Sequence, residues 1–359
     1  ALALGAPASV LAGVAQAARN GVLIKGGAHL ENLGRLQAIA VDKTGTLTFG
    51  HPEVTDVIPV QDGKLPQWGD QDPEENLLAL CAAAESRSGH PLAKAVVDAA
   101  SQRQLSLPDV QAVKSHPGKG LQATFRNEEL LLGNQDLLAE SGIVIPDEVR
   151  LRVSELRRAG KTVMLAAWAG RVLGLLALAD RLRPNASQVL TKLRQAGINE
   201  FWMLTGDHPD VAAAIAARAG VDEFRAELLP EDKLEALREL LKHADRVGMV
   251  GDGINDAPAL AHATVGIAMG GAGSDVALES ADVALMSDQL ERLPFAIGLG
   301  RRARAVILQN LGIALGVIAV LSLAAISGWV SIGLAVVIHE GSTLLVVANA
   351  LRLLGYRAT

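Results

Sequence analysis

The sequence predicts an α/β chain, a parallel sheet carrying an inserted α+β module, followed by transmembrane helices. Three observations predict it. Short apolar strands end in Asp, Gly or Thr and run into helical patterns three times, at "LQAIAVD", "INEFWMLTGD" and "DRVGMVGDG". The gap between Asp42 and Thr205 is far too long for a single crossover helix. Residues 305–326 contain no charge and are long enough to cross a bilayer, which takes about 20 residues.

The three strands give the sheet. Helical patterns follow at 185–196, 209–219 and 230–243. Strands alternating with helices imply parallel pairing with both faces covered. Ligands of such sheets bind beyond the carboxyl ends of the strands. Asp42, Thr205, Asp207, Asp252 and Asn255 all fall at those ends.

The long gap implies an insertion over 53–178, leaving 19–52 and 179–298 for the sheet domain. Within it, "PEENLLALCAAAESRSGHPLAKAVVDAASQRQ" reads as two helices joined at Ser86 to Gly89. "GLQATFRNEELLLGN" reads as a hairpin turning at Asn127, and "KTVMLAAWAGRVLGLLAL" as another turning at Ala169-Gly170.

A second apolar stretch, 329–351, follows a tight turn at Ser327-Gly328 and is broken by His339 and Glu340. Arg301, Arg302 and Arg304 precede the first stretch; Arg352 and Arg357 follow the second. Basic flanks favour the cytoplasmic side, so the pair is expected to form a membrane hairpin of a plasma or inner membrane, with the sheet in the cytoplasm. Residues 1–18 are apolar, lack the basic start of a signal peptide and read as the end of a further transmembrane helix. The chain is therefore expected to be the C-terminal part of a longer protein. A net charge of −6 argues against a nucleic-acid partner. A single cysteine, Cys81, excludes an internal disulfide framework and a thiolate metal cage.

The strand-end cluster has the chemistry for phosphoryl transfer. Asp42 is placed to act as a nucleophile on a phosphoryl group. Its own charge repels that group, so cations must stand nearby. Lys233, in "LPEDKLEAL", supplies one. A Mg²⁺ held by Asp252 supplies another, because that ion takes one or two carboxylates plus phosphate oxygens. Thr44 and Thr205 offer hydroxyls, Lys43 follows the nucleophile, and glycine turns offer backbone N–H groups.

"DKTGTLT" from Asp42, "TGD" at Thr205, Gly206 and Asp207, and "MVGDGINDAPAL" from Met249 resemble the signature motifs of P-type ATPases. The resemblance spans essentially the whole chain. It implies a haloacid-dehalogenase-like phosphorylation domain with an inserted nucleotide-binding domain. It also implies that Asp42 is phosphorylated by ATP, with Mg²⁺ held by Asp42, the Thr44 carbonyl and Asp252, and with Asn255 and Asp256 shaping that loop. In the insert, Glu85, His90 in "SGHPLAKA", Gly118 and Gly120 in "GKG", and Asn134 resemble the nucleotide pocket of heavy-metal-transporting members.

Ionisable groups at bilayer depth mark transport paths. Imidazole plus carboxylate suits Zn²⁺, Co²⁺ or Ni²⁺ better than Cu⁺. "HEGST" resembles the final-helix motif of the cobalt/zinc-type subgroup, which implies His339, Glu340 and Thr343 as ligands of the transported ion. Adjacent helical residues diverge by about 100°, so a shared ion requires Gly341 to loosen the turn or another helix to help. The family's actuator domain and its Cys-containing membrane motif are not in this sequence, and full turnover is expected to need them. Alternatives are a pump for Cu⁺ or K⁺ and a soluble phosphatase of the same fold. Such phosphatases carry a second Asp where this chain has Thr44.

Overall fold

The computed structural model describes residues 2–60, 66, 72–252, 256–270 and 279–357. The chain separates into two compact units. The first comprises Ala1–Leu47, Pro184–Thr205 and Ala219–Thr359; the second comprises Thr48–Arg183 and Gly206–Arg218.

In chain order the helices are α1 (Leu2–Arg19), α2 (Gly27–Leu33), α3 (Pro73–Glu85), α4 (Pro91–Gln102), α5 (Gln135–Glu140), α6 (Asp147–Arg158), α7 (Ala186–Gln195), α8 (Pro209–Ala219), α9 (Pro230–His243), α10 (Ala257–His262), α11 (Arg292–Ile326) and α12 (Ile332–Leu351). The strands are β1 (Val22–Ile24), β2 (Ala38–Asp42), β3 (Thr48–Pro59), β4 (Gln111–His116), β5 (Gly120–Phe125), β6 (Glu128–Gly133), β7 (Thr162–Trp168), β8 (Arg171–Leu182), β9 (Glu200–Leu204), β10 (Glu223–Arg225), β11 (Val247–Gly251), β12 (Val265–Gly270) and β13 (Val283–Met286).

The first unit holds a seven-stranded sheet in the order β1-β13-β12-β11-β2-β9-β10. Every pairing is parallel except β1 with β13. β11 lies at its centre with β2 beside it, and all five residues of each are buried. Strands covered on both faces need apolar side chains at every position, which is why they read as unbroken runs rather than alternations. Ala38, Ala40, Trp202, Leu204, Val247 and Met249 pack against α9 and α10. Ile39, Val41, Phe201 and Met203 are buried on the opposite face.

The same unit carries the long helices. α11 starts well before Ala305 and runs unbroken through the whole apolar stretch. α1, α11 and α12 pack on one another. Among the described residues, two helices, Arg292–Ile326 and Ile332–Gly355, are long and apolar enough to cross a membrane, with mean hydropathies of 2.2 and 1.7. A polar chain joins the three: Asn310 Nδ2 donates to Ser9 Oγ at 3.1 Å, and Asn349 Nδ2 to Asn310 Oδ1 at 2.9 Å.

The second unit is a six-stranded antiparallel sheet in the order β3-β8-β7-β6-β5-β4. Its strands alternate, so each face has its own core. Leu130, Leu132, Ala166 and Leu176 pack with α3 and α4; Leu131, Leu165, Ala167 and Leu175 pack with α5 and α6. The β5–β6 hairpin turns at Arg126-Asn127 with φ of 50° and 65°, and β7–β8 at Ala169-Gly170 with 49° and 77°. Two successive positive φ values match the twist of a two-residue hairpin.

Candidate active site

Parallel register brings the strand ends together. Asp42, last in β2, pairs with Leu204, last in β9, and Val41 pairs with neighbours on either side. Thr205 and Asp252 then follow directly from the strands flanking Asp42.

The turn after β2 bends sharply. Thr44 is extended (φ −75°, ψ 129°) and Gly45 left-handed (φ 71°). A Cβ on Gly45 would lie 2.1 Å from Asp252 Oδ2, so only glycine lets this backbone meet the carboxylate. Thr44 is exposed, whereas Lys43 is buried.

Lys233 arrives from α9. Thr205 N donates to Arg225 O at 3.0 Å, and Leu228 N donates to Thr205 O at 3.1 Å, which ties the approach to α9 to the end of β9. Asp232 then accepts from Leu229 N at 2.9 Å and Pro230 opens the helix. Its first turn delivers Lys233 Nζ to Asp42 Oδ1 at 2.5 Å and to Asp256 Oδ1 at 2.7 Å. Asp42, Asp252 and Asp256 present carboxylate oxygens all within 4.8 Å of one another.

Burial pushes Asp42 up to about 7, and Asp256 adds to the push; Lys233 opposes it and is outweighed. Asp252 rises to about 6 for the same two reasons. Burial alone would lower Lys233, but the charges of Asp42 and Asp256 hold its ammonium above the ordinary value. Three crowded carboxylates with one ammonium leave an excess of negative charge. A divalent cation bound to oxygen donors would relieve it. The donor set therefore fits Mg²⁺.

Gly206 and Asp207 fall in the second unit, where Thr162 Oγ1 lies 3.5 Å from Asp207 Oδ1. Asn255 lies outside the described residues.

The residues assigned to the nucleotide pocket form two groups. At the α3–α4 junction, Glu85 is buried and its carboxyl is pushed up to about 7 by burial. A cleft of about 280 Å³ opens there, lined by Glu85, Ser86, Ser88, Gly89, Lys94 and Val97. His90 caps α4: its Nδ1 accepts from Leu92 N at 3.2 Å, which puts the proton of the neutral ring on Nε2. Gly118, Gly120 and Asn134 meet elsewhere, around the β4–β5 turn. Asn134 N donates to Lys119 O at 2.8 Å, and its Nδ2 to Gly118 O at 3.4 Å. Gly120 has φ 142°, and a Cβ there would lie 2.0 Å from Leu132 O. The cleft is not lined by this second group.

In α12 the helix is regular through Gly341. Ser342 Oγ and Thr343 Oγ1 donate back to His339 O at 2.6 and 3.3 Å. Of the two routes to a shared ion, loosening of the turn at Gly341 is therefore not seen. His339 and Thr343 share a face, one turn apart. Glu340 lies about 100° round the helix, so a shared ion needs donors from another helix.

Two anchoring positions escaped the sequence reading. Asp180 accepts from Thr48 Oγ1 at 2.6 Å, Gly50 N at 3.2 Å and His51 N at 3.3 Å. Arg183 donates Nε–H to Thr48 O at 3.1 Å and lies over the Phe49 ring. Together they fasten the two chain crossings at the margin of the second unit. The signal was present as the charged, proline-terminated end of β8, "ADRLRP".

A mostly parallel sheet with a buried aspartate at the end of β2, a lysine from α9 bonded to it and two further acids beside it is an arrangement that a hydrolase can use. Residues 36–264 match the haloacid dehalogenase-like hydrolase family, and the chain belongs to it. Its particular kin are heavy-metal P-type ATPases, with which it groups by sequence over nearly its whole length. It is 46% identical over 357 residues to a manganese-exporting P-type ATPase of Mycobacterium tuberculosis, covering 99% of this chain and 49% of that one. It is equally identical to a zinc-exporting P-type ATPase of Mycobacterium marinum, covering 99% and 48%. The crystal structure of a zinc-transporting PIB-type ATPase in the E2.Pi state superposes with a TM-score of 0.75 at 44% identity, covering 98% of this chain and 55% of that one. The chain spans about half the length of these named relatives.

Proposed function

We propose that the protein carrying this chain exports a divalent heavy-metal cation, driven by ATP through a phosphoryl group carried on Asp42. The observation that carries this reading is Lys233 Nζ bridging Asp42 and Asp256 beside Asp252 at the centre of the sheet. An Asp42 oxygen forms the new bond to the terminal phosphorus of ATP, and the bond from that phosphorus to the bridging oxygen breaks. ADP leaves with the electron pair, and water later hydrolyses the acyl phosphate to inorganic phosphate. Lys233 holds Asp42 in place, favours its anionic form against the opposing effect of burial, and offsets the charge of the incoming group. Thr44 and Thr205 supply hydroxyls, and the turn from Lys43 through Gly45 supplies backbone donors. Mg²⁺, held by Asp42 and Asp252 with Asp256 behind Lys233, would neutralise phosphate charge. Thr44 in place of a second acid favours a long-lived phosphoenzyme over a phosphatase.

In this reading Thr48–Arg183 binds ATP. Glu85 and His90 contact the base, and Gly118, Gly120 and Asn134 let the backbone approach it. Gly206 and Asp207 are assigned to the phosphoryl group by the resemblance of "TGD" to the family's motif. His339, Glu340 and Thr343 bind the transported ion with donors from other helices. These nitrogen and oxygen donors favour Zn²⁺ or Co²⁺, and relatives named for manganese and zinc export support a divalent cargo. Metal-stimulated ATP hydrolysis by the full-length protein across Mn²⁺, Co²⁺, Zn²⁺, Cd²⁺, Ni²⁺, Fe²⁺ and Cu⁺ tests this. Strongest stimulation by a divalent ion is expected; strongest stimulation by Cu⁺ would overturn the assignment of His339 and Glu340.

A further inference from the structure

At the end of the sheet opposite Asp42, the first unit has a second cleft of about 470 Å³. Four arginines line it: Arg35 after α2, Arg246 before β11, and Arg301 and Arg304 on α11. Asp245 is the one acid in the lining. Glu31 pairs with Arg35 at 3.1 Å from outside it.

The cleft is built, not incidental. Arg301 Nη2 donates to Gly197 O at 3.1 Å and to Leu36 O at 3.4 Å, the residues leading into β9 and β2. Gly197 is left-handed (φ 86°), and a Cβ there would lie 2.5 Å from Arg301 Nη1. Glycine thus leaves the space the guanidinium fills. Nε of Arg35 and Nε of Arg301 are buried and have no hydrogen-bond partner. Planar guanidiniums with donors to spare match the oxygens of a phosphate.

Position says which phosphate. Arg301 precedes the uncharged stretch from Ala305 by four residues on one unbroken helix, a rise of about 6 Å. The headgroup layer on each side of a bilayer core is about 5–7 Å deep. If α11 crosses the membrane, as the export reading above requires and on which this inference rests, the cleft lies at headgroup depth.

We infer that Arg35, Arg246, Arg301 and Arg304 form a binding site for the phosphate of an anionic phospholipid of the cytoplasmic leaflet. Occupancy would brace the junction between α11 and the entries to β2 and β9, the strands ending at Asp42 and Leu204.

The test uses the full-length protein in phosphatidylcholine nanodiscs, titrated with phosphatidylglycerol and read by native mass spectrometry of retained lipid. Arg246→Gln and Arg304→Gln are each expected to weaken retention about fivefold, the worth of one basic residue near an anionic surface. Arg302→Gln, on the same helix but outside the lining, is expected to weaken retention clearly less than either. Equal losses from Arg302→Gln would reduce the site to general surface charge and overturn it. Displacement of the lipid by millimolar inorganic phosphate would reassign the cleft to a soluble anion. Failure of the protein to enter the discs would instead remove the membrane placement itself.

Discussion

Lys233 Nζ lies 2.5 Å from Asp42 Oδ1, although the two residues are 191 positions apart in sequence, and both are buried. Removing one partner of such a pair leaves the other charge buried alone, which costs about 3–5 kcal/mol. Lys233→Met should therefore lower unfolding stability by that order and abolish phosphorylation from ATP. Chemical unfolding and labelling with radioactive ATP read the two effects. Unchanged labelling would remove Lys233 from the site.

Gly45 faces Asp252 with no room for a methyl group. Gly45→Ala should raise the Mg²⁺ concentration needed for half-maximal phosphorylation by more than about tenfold, because roughly 1.4 kcal/mol of disturbed positioning already gives that factor. A Mg²⁺ titration of labelling measures it.

The glycines of the β4–β5 turn differ, and their substitutions should differ too. Gly118 has a positive φ with nothing within 4 Å of an added Cβ, so Gly118→Ala should cost about 1–2 kcal/mol from conformation alone. Gly120→Ala meets the Leu132 carbonyl and should disrupt the pairing of β5 with β6, with a larger fall in melting temperature and loss of nucleotide binding. Thermal unfolding and nucleotide titration of both variants decide it.

Glu85 is pushed up from 4.5 to about 7 by burial, with the Ser88 hydrogen bond opposing. Between those two values the folded state holds a proton that the unfolded state has lost. Stability from this group is thus fullest below about pH 4.5 and declines as pH rises to about 7, by on the order of 3 kcal/mol. Glu85→Gln should flatten that part of the profile and raise the melting temperature at pH 8. Thermal unfolding at pH 5 and pH 8, with and without the substitution, measures it.

Much of this architecture was legible because local signals agreed with the fold. The helices expected at 209–219 and 230–243 coincide with α8 and α9, each opened by a proline. Both hairpin turns fell at the expected residues, since Asn127 and Gly170 tolerate positive φ. Short strands such as β1 and β10, of three residues each, carry too little pattern to be seen alone. The double bridge from Lys233 to Asp42 and Asp256 is a product of register and helix entry, which spacing in the sequence does not encode. His90 shows the converse: its place before Pro91 signals a helix cap as well as a ligand, and it does cap α4. The arginine cleft stayed hidden because its four members come from three separate segments.

The central claim is that Asp42 carries the phosphoryl group. Labelling of the full-length protein with radioactive ATP and Mg²⁺, followed by acid precipitation and hydroxylamine treatment, tests it most directly. Acid-stable, hydroxylamine-labile label is expected in the native protein and none in Asp42→Asn. Equal label in Asp42→Asn would contradict the assignment.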